Sequence, residues 1–278
     1  MVFDVLVLAA SVLAYGVATL LLADGSTGGI FRALQHRAWL SGTVVQALGF
    51  GLAFLARRDL PLLIVQPATT AAVAVTCVLG ALLHRWRLSP RDLLALAGVV
   101  LGIAGLGACA AAGPAVVPGL TPLLVMLAVL ALCAVEAGRS LGREVPVGRA
   151  ALLAGGAAGI AFGIGSVGAR AIAGDPLVAV HTTTGALSLL LLGVGTVLGQ
   201  VLLTAAISGG AVAGPTSGMH IVETVGPAAI GVAFLGDAIV PGRAWLAVAC
   251  VLVSLVGCVL LVGHGAPAPA LTPTPQTR

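Results

Sequence analysis

Runs of apolar residues long enough to cross a bilayer alternate along this chain with short polar links. A helix needs about 20 apolar residues to cover the hydrocarbon core. Nine such runs are predicted, at 4–23, 38–56, 61–83, 92–112, 119–138, 148–172, 178–206, 211–235 and 243–263. Asp24-Gly25-Ser26 turns the chain after the first, before a polar link holding Arg32, His36 and Arg37. The second opens on Trp39, expected as an interfacial anchor, and closes at Arg57-Arg58-Asp59. Pro61 is expected in the first turn of the third, where a missing N–H does no harm. Ser89-Pro90 reads as N-cap and N1 of the fourth, after the charged loop His84 to Arg87. Gly113-Pro114 to Pro118-Gly119 joins the fourth and fifth without charge, and Arg139, Arg143, Glu144 and Arg149 form the next loop. Gly174-Asp175-Pro176, Ser208-Gly209-Gly210 and Pro241-Gly242 introduce the last three spans. The Pro-rich segment 264–278 cannot pack a core and is expected to be disordered.

Composition narrows the class. The chain has 278 residues, of which 59% are hydrophobic and 8% charged, and its mean hydropathy is +1.17. Soluble domains carry about 25% charged residues. This is the composition of an integral membrane protein with little mass outside the bilayer. All 13 basic residues are arginine, and they form no stripe of the kind that binds nucleic acid. Asp4 stands where a leader would be basic, and Val5 to Leu22 is too long for a leader's apolar region, so this run reads as the first span. Cytoplasmic loops collect arginine. With the N-terminus outside, Arg32, Arg37, Arg85, Arg87, Arg91, Arg139, Arg143, Arg149 and Arg278 fall inside, against Arg57, Arg58, Arg170 and Arg243 outside. That predicts a cell-membrane protein with its C-terminus in the cytoplasm. The five cysteines lie in apolar runs without C-x-x-C spacing and are expected to be free packing residues. The 39 glycines suit close helix contact.

The halves repeat weakly and in order. Residues 48–67 lie over 198–217, and 92–106 over 244–258. Spans two, three and four thereby pair with seven, eight and nine. A displacement of five helices, an odd number, reverses the second copy in the membrane. The expected fold is an all-α integral membrane protein of about nine transmembrane helices in two inverted repeats, 1–112 and 113–263. Inverted repeats are typical of secondary transporters, whose sites lie near the midplane between the copies.

Several short motifs fall in a familiar order: Tyr15-Gly16, Trp39-Leu40-Ser41-Gly42, Leu63-Ile64-Val65-Gln66-Pro67, Pro227, Leu235-Gly236-Asp237, and Ala249 to Gly257. With these the chain resembles the drug/metabolite transporter superfamily, in its EamA-type and NIPA-like branch, over most of 1–263. The resemblance implies transport, nine or ten helices, and an N-out nine-helix form. It does not choose a cargo, since such proteins are associated with amino acids, nucleotide sugars, quaternary ammonium compounds and divalent cations. Two positions depart from the pattern: His84-Arg85 where relatives are often acidic, and Asp237 in place of a usual Glu.

Candidate chemistry centres on His220 and Glu223 in the eighth span. Three residues apart, they share a helix face. A carboxylate at bilayer depth is costly and marks a site by default, and imidazole titrates near neutrality. The pair could switch protons or ligate a cation; equally, it could lock the span to a neighbour. No further midplane carboxylate joins them, so no metal site is expected. Gln66-Pro67 and Thr70 in span three, with Pro215 and Ser217 in span eight, are expected to interrupt two repeat-related helices. Proline frees a carbonyl, tolerated in lipid where a neighbour or a cavity satisfies it. These residues therefore read as cavity lining or as packing kinks. Gln46 and Gln200 are further cavity candidates, and Tyr15 could contact cargo or a neighbouring helix. His181 to Thr184 reads as a capped helix start or vestibule lining, Glu136 and Arg139 as a pair, and Asp237 as interfacial.

No P-loop, H-E-x-x-H or G-x-S-x-G is present, so no enzyme and no cofactor is expected. The leading expectation is a secondary transporter for a small polar or amphiphilic metabolite or a cation, with proton coupling through Glu223 and His220. A lipid or lipid-linked sugar flippase of the same fold and a non-transporting scaffold or subunit are the alternatives. The expected partners are the small-molecule or ion substrate and the lipid bilayer, with no nucleic acid; a homodimer is left open.

Overall fold

The computed structural model describes residues 2–25, 35–83, 88–111, 113, 115–142, 149–179, 181–207 and 213–262. The turn at Ser26, the loop His84 to Arg87, the Arg143–Glu144 loop, the Ser208-Gly209-Gly210 turn and the segment 264–278 lie outside them. The helices are α1 (Val2–Gly25), α2 (Arg37–Ala56), α3 (Leu62–Thr70), α4 (Ala72–Leu83), α5 (Pro90–Cys109), α6 (Leu120–Gly142), α7 (Arg149–Ile172), α8 (Pro176–Ala179), α9 (Thr183–Ile207), α10 (Ala213–Phe234) and α11 (Ala244–Val262). Among the described residues, 8 spans are long and apolar enough to cross a membrane. A further long helix, α10, interrupts its apolar sequence with Thr216, Ser217, His220, Glu223 and Thr224. Its 22 residues still reach about 33 Å at 1.5 Å per residue.

The boundaries differ from expectation where local chemistry intervenes. Span three runs over Leu62–Leu83 but is broken at Ala71 into α3 and α4. The fourth span stops at Cys109, because Ala110 and Ala111 leave the helix as a short strand, β1 (Ala110–Ala111). It pairs antiparallel with β2 (Ala238–Ile239), Ala110 opposite Ile239. The seventh span starts as the single turn α8 and restarts at Thr183, where the Thr182 hydroxyl accepts from Gly185 N at 3.1 Å. The expected capped start is therefore present. So is the one at Ser89, whose hydroxyl accepts from Asp92 N at 3.3 Å while Asp92 Oδ2 accepts from Ser89 N at 2.6 Å. Trp39, expected as an interfacial anchor, is buried against Leu22 and Gly25 of α1.

α7 is the central post. Its small residues, GGAAGIAFGIGSVGARA, let α9 and α10 approach closely, while α6 covers another flank. In the first half α1 packs on α2 and on the α3–α4 span, and α5 packs on α11.

The end of the bundle where α2, α5, α7 and α10 finish is joined by one buried side chain, Arg170. Its Nε and Nη2 donate to Asp237 Oδ1 at 3.2 and 2.8 Å, and Nη2 also donates to Gly113 O at 2.7 Å. Nη1 donates to the carbonyls of Arg57 and Arg58. Asp237 Oδ2 accepts from Leu62 N at 2.8 Å. That bond supplies the acceptor for the first N–H of α3, which Pro61 at the N-cap has no side-chain oxygen to provide. Gly236, at φ 74, adopts the left-handed turn that brings Asp237 back over the bundle. Asp237, expected as an interfacial residue, is thus buried in an ion pair with Arg170.

Candidate functional site

The site begins with a proline. Pro227 lies inside α10 and has no N–H, so the carbonyl four residues earlier, that of Glu223, loses its helical donor. Gln66 Nε2 donates to this freed oxygen at 2.7 Å. A glycine makes room for the ring: a Cβ on Gly163 of α7 would come within 2.9 Å of Pro227 Cγ. Gln66 Oε1 in turn accepts from Arg57 Nη2 at 3.3 Å, and the same nitrogen donates to Ser166 Oγ of α7 at 3.3 Å. These two partners fix which way the Gln66 amide points. The Arg57 guanidinium also lies over the Phe50 ring, 5.3 Å from its centre. One level away, the Thr70 and Thr224 hydroxyls meet at 2.7 Å. The span-three proline motif and α10 are therefore joined by two hydrogen-bonded rungs.

Around this frame several polar groups lack partners. Among the described residues, Arg57 is 2% exposed yet its Nε and Nη1 have no acceptor, and His220 Nδ1 is buried without a hydrogen-bond partner. The Glu223 side chain forms no hydrogen bond among the described residues, although it, Arg57 and Tyr15 are close enough to act on one another electrostatically. Tyr15 and Glu223 lie deep in the bundle but keep part of their surface accessible. Each falls near the middle of its helix, α1 and α10 respectively.

Of the candidates, Gln66, Thr70 and Glu223 come together where span three meets α10, with Tyr15 of α1 near Glu223. Pro67 follows Gln66 in α3, and His220 lies one turn before Glu223 on α10. Gln66 is engaged on both ends of its amide, and so has a structural duty whatever else it does. Gln46 and Gln200 are half-buried on α2 and α9, and no hydrogen bond among the described residues ties either side chain to the cluster. Pro215 does not interrupt α10. It sits in the first turn, where proline is tolerated, and packs against Gly155 of α7. Ser217 is half-buried one turn before His220. Glu136 and Arg139 pair at 3.8 Å on the surface, as their spacing predicts.

Sequence reasoning missed Arg57, Phe50 and Ser166. Arg57 reads as a loop charge because Arg58 and Asp59 follow it. Two surface depressions lie elsewhere: about 490 Å³ beside Ala186, Leu190 and Val194 of α9, and about 320 Å³ beside Phe54, Arg58, Asp175 and Leu177. Among the described residues, no group of three or more His, Cys, Asp or Glu side chains is placed to hold a metal ion.

Fold and site together define a multi-pass, all-α membrane protein with a polar cluster inside its helix bundle. Comparison with protein-family models, curated proteins and solved structures finds no match to the chain.

Proposed function

We propose that the protein is a nine-helix secondary transporter of a small polar or amphiphilic solute, working by alternating access. We further infer two inverted repeats of the drug/metabolite transporter type, with the N-terminus outside the cell membrane and the C-terminus in the cytoplasm. The packing pattern supports a repeat. α1 carries α2 and the α3–α4 span as α7 carries α9 and α10, while α3 meets α10 and α5 meets α11, the pairs that an inverted repeat maps onto themselves. The burial of Arg57 and Arg170 supports the orientation, because it leaves fewer exposed arginines at the end taken as outer.

The observation that carries the transport reading is the set of unmet polar groups inside the bundle. Among the described residues, Arg57 Nε and Nη1 and His220 Nδ1 have no hydrogen-bond partner, and no hydrogen bond is made by the Glu223 carboxyl. An unsatisfied polar group costs several kcal/mol in hydrocarbon. A scaffold whose polar residues only bind helices together would pair them; a binding site leaves them for water and a solute. Proton coupling, if the carrier uses it, runs through Glu223. The test is flux into proteoliposomes with and without a pH gradient. Glu223→Gln is expected to abolish the response to the gradient while the protein stays folded. A wild-type gradient response retained in this variant refutes the assignment.

A further inference from the structure

Arg57 and the Glu223 carboxyl lie in one electrostatic neighbourhood, and yet they form no ion pair among the described residues. Each has its own support. Gln66, Ser166 and the Phe50 ring fix the guanidinium from one side. The Pro227 position in α10, and the Gln66 bond to the Glu223 carbonyl, fix the backbone that carries the carboxylate. What remains, among the described residues, is a guanidinium with two unmet donor nitrogens and a carboxyl group with no hydrogen bond, near the part-accessible side chain of Tyr15. A buried arginine with free donors calls for an acceptor anion. A buried carboxylate without donors calls for a cation or a proton.

We propose that this cluster binds a small zwitterion, its carboxylate accepting from Arg57 and its ammonium donating to Glu223, with Tyr15 beside the bound molecule. The proposal rests on the transport reading and names its substrate class. A solute with both charges satisfies both protein groups without adding net charge to the membrane interior. A lone anion leaves Glu223 unmet, and a lone cation leaves Arg57 unmet. Arginine suits the carboxylate end because its guanidinium stays charged and presents several donors in fixed directions, which a lysine ammonium does not.

The test is equilibrium binding to the full-length protein in detergent. The probes are labelled neutral amino acids and glycine betaine, each compared with its carboxylate-only and amine-only analogues, such as propionate and ethylamine for alanine. At least one zwitterion is expected to bind saturably. Losing either charged end is expected to weaken binding about 10- to 100-fold, the range for one charge-assisted hydrogen bond. Arg57→Lys is expected to weaken the zwitterion by a similar factor, and Glu223→Gln to erase the preference for a zwitterion over its carboxylate-only analogue. Should Arg57→Lys not fold, the analogue series on the wild-type protein decides alone. Failure of every zwitterion to bind, or equal binding of an analogue lacking one charge, overturns the proposal. Binding without flux in proteoliposomes sinks the transport reading and leaves this site standing. Flux indifferent to Arg57→Lys does the reverse.

Discussion

Two arginines are buried near one end of the bundle, and they are opposite cases. Arg170 is 1% exposed and Arg57 2%. Every nitrogen of the Arg170 guanidinium donates, to Asp237 and to carbonyls from the α2–α3 turn and the α5–α6 link. Among the described residues, Arg57 uses one nitrogen, in two bonds of 3.3 Å, and leaves the other two unmet. Burial alone therefore does not tell a structural charge from a site. A charge whose donors are all used holds parts of the fold together, and one with donors to spare is a place for something absent from the fold. The Arg170 network also ties α3, α7 and the segment after α10 at one end, so the proposed alternating access would require this network to loosen or to move as one body.

The largest effect expected from this contrast is at Asp237. Asp237→Ala leaves Arg170 charged and buried and removes the acceptor at the start of α3. Breaking a buried pair from one side costs about 3–5 kcal/mol. Unfolding in detergent, followed by heat or by denaturant, should show a loss of that order. Arg170→Ala should cost a similar amount and the double variant much less than the sum. A wild-type melt for Asp237→Ala contradicts the structural role given to this network.

A smaller effect is expected at Gln66, which links the contrasting region to the proline in α10. Gln66→Leu leaves the Glu223 carbonyl without a donor, costing about 1–3 kcal/mol. Pro227→Ala restores an N–H to that carbonyl within the helix. The double variant should therefore recover stability relative to Gln66→Leu alone. Additive losses in the two single variants would show that the freed carbonyl is not what joins these residues.

Much of this was legible in the sequence, and the losses have physical reasons. Apolar runs located the long helices, and Ser89-Pro90 and Thr182 marked real starts, because span length and capping are local properties. Glu223 and His220 announced themselves as charge inside an apolar run. Arg170 gave a similar signal, lying within the run 148–172, but it enters the sequence reading only as one of the outer arginines. Asp237 and Arg57 gave none. Each stands beyond the end of its helix, where charge is ordinary, and is carried inside by contacts with residues more than a hundred positions away, Leu62 for one and Ser166 for the other. Pro227 was visible, but its consequence was not, since the donor that answers Glu223 comes from another span. Such pairings are tertiary, and periodicity does not encode them.

The smallest expected effect sharpens the comparison most. Arg57→Met removes a buried charge, keeps an unbranched chain against the Phe50 ring, and gives up only two long hydrogen bonds. Replacing buried ionic groups by apolar ones of similar volume is often neutral or stabilising. Arg57→Met is therefore expected to melt within about 1 kcal/mol of the wild-type protein, or above it, where Asp237→Ala falls by several times that amount. Solute binding should be lost over the same comparison. The two measurements are best made on one preparation, so that retained folding and lost binding refer to the same molecules. A melt lowered as far as that of Asp237→Ala would place Arg57 with Arg170 as a fold-holding charge, and the reading of the cluster as a solute site would lose its main support.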